Sequence, residues 1–97
     1  MENKEKWTIT EEEKNKFINA LTEELPALRA KARVPQGELA KIIGISRQTY
    51  GAIERKKRNM SWNTYLSLIW FFDYNKSTHD MLRHLSAFPK DLVDKLN

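Results

Sequence analysis

Ninety-seven residues allow one small domain with a modest core, and little beside it but tails. Cysteine is absent, which excludes disulfides and thiolate metal sites and fits a reducing compartment. The net charge is +4, yet Arg29, Lys31, Arg33, Lys41, Arg47, Arg55, Lys56, Lys57 and Arg58 stand against only Glu38 and Glu54, so residues 29–58 carry +7 and the rest carries −3.

The chain opens on "MENKEKWTITEEEKNK", which is polar and charged and holds no apolar core of a signal peptide. With three Gly, three Pro and helix formers throughout, the expected class is all-α, a compact bundle of about five or six short helices. The first helix should start after Thr10 as N-cap, with Glu11, Glu12 and Glu13 in its positive first turn. Phe17, Ile18, Leu21, Leu25, Leu28 and Ala32 recur at helical spacing as one buried stripe. Pro26 interrupts that stripe, so a kink or a break is expected between Thr22 and Pro26, with Thr22 capping a second piece if the helix stops.

A second helix is expected over Gln36 to Ile43, with Leu39, Ala40 and Ile43 inward and Gly44 as a left-handed stop. Ser46 caps a third, about Arg47 to Arg55, with Tyr50 and Ile53 inward. Ser61 caps a fourth, about Trp62 to Asp73. Its "YLSLIWFF" is far shorter than the roughly 20 residues of a membrane span. A fifth runs near Ser77 to Leu85 with Ser77 as cap, and Pro89 opens a last one ending near Leu96. No repeat, low-complexity tract or flexible linker divides the chain. The expected organisation is a single domain 1–97, with a helix-turn-helix core at 25–72 and C-terminal helices at 73–97.

"GIS" at residues 44–46 is too short to be a linker, so the helices on either side must cross steeply. Ala40 is small enough for the crossing, and Ile45 can plug the turn. The restarted helix then presents Ser46, Arg47, Gln48 and Thr49 outward. Those side chains can bond base edges, and the helix start attracts phosphate. The four cations Arg55 to Arg58 follow at its end.

At this point the chain resembles a known family. Gln36, Leu39, Ala40, Gly44, Ser46, Ile53 and Glu54 fall at the spacings of helix-turn-helix domains like phage lambda repressor and Cro, the XRE type. The strings "SRQT" and "AIE" are typical of its bacterial regulators, and the likeness covers about Leu25 to Phe72. It implies DNA base contacts from Arg47 and Gln48, with Thr49 and Ala52 nearby, and a phosphate contact from Gln36, which also braces the recognition helix. Ser46, Arg55, Lys56, Lys57 and Arg58 complete the expected phosphate contacts. The family also pairs an Arg of the first helix with a Glu ending the recognition helix, here Arg29 and Glu54. An acid inside a DNA-facing cationic patch makes sense only if it is turned inward and paired. Three positions depart from the pattern: Pro35 stands where Ser or Thr usually caps the second helix, Gly37 weakens that helix's first turn, and Lys56 stands where Gly is frequent.

Nothing else in the sequence carries chemistry. His79 and His84 are five apart, off a shared helical face, with no ligand cluster near them, so no metal site is expected. There is no Gly-rich phosphate loop and no supported catalytic set, so neither an enzyme nor a cofactor is expected. Trp62, Tyr65, Leu66 and Ile69 read as core. Trp70, Phe71 and Phe72 point about 100° apart in turn, so one helix cannot bury all three beneath itself. Either the C-terminal helices or another chain must cover the remainder, and Trp70, Phe71, Phe72, Leu85 and Phe88 are the candidate dimer surface. The expected function is sequence-specific binding of double-stranded DNA by a cytoplasmic transcriptional regulator. It would act as a homodimer, with no membrane association and no evident small-molecule ligand. The alternative is a protein-interaction module on the same fold, such as an antitoxin gripping its partner through the aromatic C-terminal half.

Overall fold

The computed structural model describes residues 7–97, so the polar chain start read above lies partly outside the described residues. The regular elements described are all helices: α1 (Glu11–Ala32), α2 (Gln36–Ile43), α3 (Arg47–Glu54), α4 (Trp62–Tyr74), α5 (His79–Arg83) and α6 (Lys90–Leu96). Helix α2 packs on α3 and α4, while α1 packs on α3 and α4, and α5 closes on α4.

Thr10 starts α1 with a reciprocal cap. Its hydroxyl accepts from Glu13 N–H at 3.1 Å, and the Glu13 carboxylate accepts from Thr10 N–H at 2.8 Å. The backbone and side-chain bonds from Thr10 hold the Glu13 carboxyl below its ordinary range. Ile18, Leu21, Leu25 and Leu28 form the buried stripe. Of the kink or break expected between Thr22 and Pro26, the break does not occur: α1 runs through Pro26 as one helix of 22 residues. Thr22 caps nothing; its hydroxyl donates back to the Ile18 carbonyl at 2.8 Å. Pro26 lies on the exposed side, between two leucines that are wholly buried. Burying each leucine contributes roughly 1.5–3 kcal/mol, enough together to offset the ~3 kcal/mol cost of an internal proline.

Three helices end in the same left-handed turn. Arg33 (φ 59), Gly44 (φ 83) and Lys56 (φ 63) follow α1, α2 and α3. In each case the next residue's N–H reaches back to a carbonyl five residues earlier: Val34 to Arg29, Ile45 to Ala40 and Lys57 to Ala52. Only the middle turn uses glycine, and there the requirement is conformational, since a Cβ on Gly44 would meet nothing within 4 Å. Lys56 thus adopts a left-handed geometry that glycine would take without strain.

The core joins α1 to Leu39 and Ala40 of α2, Tyr50 and Ile53 of α3, and Tyr65, Leu68, Ile69 and Phe72 of α4. Ile45 and Ile43 pack against it, half-buried. Leu66, expected in the core, is exposed, because the inward stripe of α4 runs through 65, 68, 69 and 72 and leaves 66 on the neighbouring face. Trp62 stacks on Tyr65 at 4.7 Å between ring centres.

The C-terminal helices are shorter than expected. Ser77 does not cap α5; instead Asn75 Oδ1 accepts from the N–H groups of Ser77 and Thr78, and this turn delays the helix to His79. Buried Thr78 donates to the Phe72 carbonyl at 2.7 Å. The Tyr65 hydroxyl donates to the Ala87 carbonyl at 2.7 Å, and burial pushes its pKa up. Pro89 sits at the cap position of α6, one residue before the expected one, because its carbonyl already accepts from Val93. Among the described residues no helix is long and apolar enough to cross a membrane, and no group of His, Asp and Glu could hold a metal ion.

Candidate nucleic-acid interface

The surface is built on α3, and α3 is held at both ends. At its start Ser46 caps the helix: its hydroxyl accepts from Thr49 N–H at 3.0 Å and donates to Thr49 Oγ1 at 2.9 Å. That hydroxyl is therefore already engaged twice. At its end Glu54 is a hub. Its carboxylate accepts from Arg29 Nε and Nη2, each at 3.0 Å, from Gln36 Nε2 at 3.0 Å, and from the Tyr50 hydroxyl at 2.7 Å. Three helices thereby meet on one carboxylate that is 9% exposed.

Burial alone would raise the Glu54 carboxyl's pKa. The bonds from Arg29, Tyr50 and Gln36, with the Arg29 charge, outweigh burial and hold it below its ordinary value. Burial, and then the bond to Glu54, push the Tyr50 hydroxyl strongly up, so it stays a neutral donor. Arg29 also reaches the Val34 carbonyl at 3.3 Å, tying the end of α1 to the entry of α2. Pro35 gives α2 no side-chain cap, and Gln36, its first residue, is fastened to Glu54 instead.

Between these two anchors, Arg47 and Gln48 stand exposed, and neither side chain bonds another described residue. The Arg47 stem lies over Gly37, where a Cβ would make ordinary contact with Arg47 Cδ at 3.4 Å. Thr49 and Ala52 are half-buried on the same helix. Arg55, Lys57 and Arg58 are exposed cations beyond it. Lys56 differs: its ammonium is 2.6 Å from the Glu23 carboxylate of α1. Sequence reasoning missed Glu23 because 33 positions separate the pair. It also missed the Tyr50 hydroxyl, for which the i, i+4 spacing to Glu54 was an available signal.

The aromatic candidates divide. Phe72 is wholly buried inside its own chain, so it offers nothing to a partner; the inward register of α4 overturns its place in the candidate dimer surface. Phe71, Leu85 and Phe88 are half-buried against the core, and Arg83 lies over the Phe88 ring. Trp70 is 52% exposed and Tyr74 76%, with ring centres 5.8 Å apart. With Leu66 they form an apolar stripe at helical spacing on the outer face of α4. His79 Nδ1 sits 2.7 Å from the Asp73 carbonyl and 3.0 Å from its carboxylate, which Arg83 also binds at 2.8 Å. His84 Nδ1 sits 2.8 Å from the Asp80 carbonyl.

Two short helices crossing through a glycine turn, the second capped, braced and tipped with free polar side chains, define a helix-turn-helix. Comparison with known proteins agrees: residues 27–61 match the family model described as Helix-turn-helix. That segment is similar to helix-turn-helix domains of the lambda repressor and Cro type, a likeness that covers about a third of the chain. No curated protein and no solved structure matches the chain.

Proposed function

We propose that this chain is a sequence-specific transcriptional regulator that reads double-stranded DNA in the major groove with α3 from Arg47. One observation carries the reading: Arg47 and Gln48 are free and exposed at the start of a helix whose far end is locked by Glu54. A guanidinium there matches O6 and N7 of guanine, and a side-chain amide matches N6 and N7 of adenine. Thr49 and Ala52 would line the same groove. Ser46 and Gln36 would serve phosphates through the free backbone N–H groups at the starts of α3 and α2. With Arg55, Lys57 and Arg58, these ends would neutralise roughly four to six phosphates per protomer. The mechanism requires no cofactor, and the cytoplasmic location expected of a bacterial regulator of this type goes with the reading.

Two copies would act together, because one recognition helix touches too few bases for useful selectivity. A two-fold interface needs a patch that meets its own copy, and Leu66, Trp70 and Tyr74 supply an uncharged one. Phe71, Leu85 and Phe88 would contribute at its margin. A partner-protein grip of the antitoxin kind would use the same stripe in a chain that stays monomeric alone.

A gel-shift on random duplex at two salt concentrations tests the DNA reading. Binding should fall steeply between them. No binding at low salt, or binding indifferent to salt, would overturn it.

A further inference from the structure

We infer that Glu23 is a positioning residue that sets the strength of backbone binding by holding Lys56 out of the phosphate-contacting run. The inference rests on the DNA-binding reading above. Lys56 is the second of four consecutive cations, where charge for phosphate is densest. Its backbone is turned left-handed at φ 63, which directs it away from the helical path of its neighbours. Its ammonium lies 2.6 Å from Glu23, on the α1 face beside the run. A small hollow of about 160 Å³ lies at the pair, lined by Asn19, Thr22, Glu23, Lys56, Arg58 and Asn59. Arg55, Lys57 and Arg58 have no acid paired with them among the described residues.

Both members of the pair are more than half exposed, so the bridge adds little to folding. Its effect falls on binding. Either Lys56 stays on Glu23 and contributes no neutralised phosphate, or it turns to DNA and leaves a carboxylate facing the backbone. In both cases the pair acts as roughly neutral towards a polyanion, and the loss applies equally to every sequence, since phosphate contacts carry no base information. Glu23 thereby restrains non-specific affinity without touching the readout by Arg47 and Gln48.

The test is a salt titration of duplex binding by the full chain and four variants. Glu23→Gln should steepen the slope of log affinity against log salt by about one, as one added phosphate contact does. It should tighten binding to random and preferred duplexes by the same factor, about three- to tenfold. Adding Lys56→Gln to Glu23→Gln should return both slope and affinity to the wild-type values. Lys57→Gln alone should lower the slope by about one. Glu12→Gln, which makes the same change of net charge in the first turn of α1, should leave the slope unchanged. The inference is overturned if Glu23→Gln behaves like Glu12→Gln, or if the double variant binds clearly more weakly than wild type. Absence of duplex binding by the wild type would instead overturn the DNA reading, and this inference with it.

Discussion

Arg29 and Glu54 face each other as a two-pronged pair, Nε and Nη2 each 3.0 Å from a separate carboxylate oxygen, across 25 residues of sequence. The pair fixes the end of α3 to the body through α1, and Gln36 and Tyr50 complete it from α2 and from α3 itself. Arg29→Ala would leave a nearly buried carboxylate short of its cation. Because Arg29 is partly exposed, the expected loss is near the low end for a broken buried pair, roughly 3 kcal/mol. Tyr50→Phe removes one bond to the same charge and should cost about 1.5 kcal/mol. Arg33→Ala, at an exposed cation nearby, provides the comparison in thermal melts; equal small losses from Arg29→Ala and Arg33→Ala would mean the pair contributes little.

The same carboxylate predicts a pH dependence. Its folded-state pKa lies below its ordinary value of 4.5. The network's contribution is therefore fully present above about 4.5 and is lost as pH falls through the lower folded-state value. Denaturant midpoints should decline on acidification. Glu54→Gln should be less stable than wild type at neutral pH and show a shallower decline. An unchanged decline in that variant would assign the acid sensitivity to other carboxylates, such as Asp73 beside Arg83.

Left-handed turns at arginine and glycine predict substitutions of opposite sign. Arg33→Gly relieves a strained backbone at φ 59 and should stabilise by about 0.5–1 kcal/mol. Gly44→Ala imposes that strain at φ 83 and should destabilise by about 1–2 kcal/mol. Thermal melts decide both, with shifts of about 4–8 °C per kcal/mol at this size. A stabilised Gly44→Ala would contradict the turn.

Base readout and charge should separate by mutation. Arg47→Ala and Gln48→Ala should each cost about 1–3 kcal/mol on the preferred site and relax one or two base pairs. Lys57→Ala should weaken all sequences alike. Selection of bound sites from a random pool supplies the preferred duplex. Equal losses on preferred and random DNA for all three would refute this division.

Assembly should depend on the outer face of α4. Trp70→Glu places a charge in the exposed stripe beside Leu66 and Tyr74 and should shift the chain to monomer in light scattering, with its melting little changed. Phe72→Glu would instead unfold the protein, since that ring is wholly buried. A wild-type chain that is monomeric at high micromolar concentration, with and without DNA, would refute the dimer and turn attention to a different protein partner for the stripe.

Much of this protein was legible in sequence because it is local. Caps at Thr10, Ser46 and Ser61, the stop at Gly44 and the inward spacing of α1 depend on neighbours within about one or two turns. The charge excess between Arg29 and Arg58 is likewise a property of the chain alone. Tertiary structure decided what local chemistry leaves balanced. Pro26 stays helical because two buried leucines outweigh it, a sum that propensity does not contain. Phe72 turned inward and Trp70 outward because only one face of α4 meets α1, α2 and α5. Lys56 found Glu23 because packing α3 against α1 brought together two charges 33 residues apart. An ion pair between surface side chains leaves no periodic trace in a sequence, so its effect on binding could be inferred only once the helices were in place.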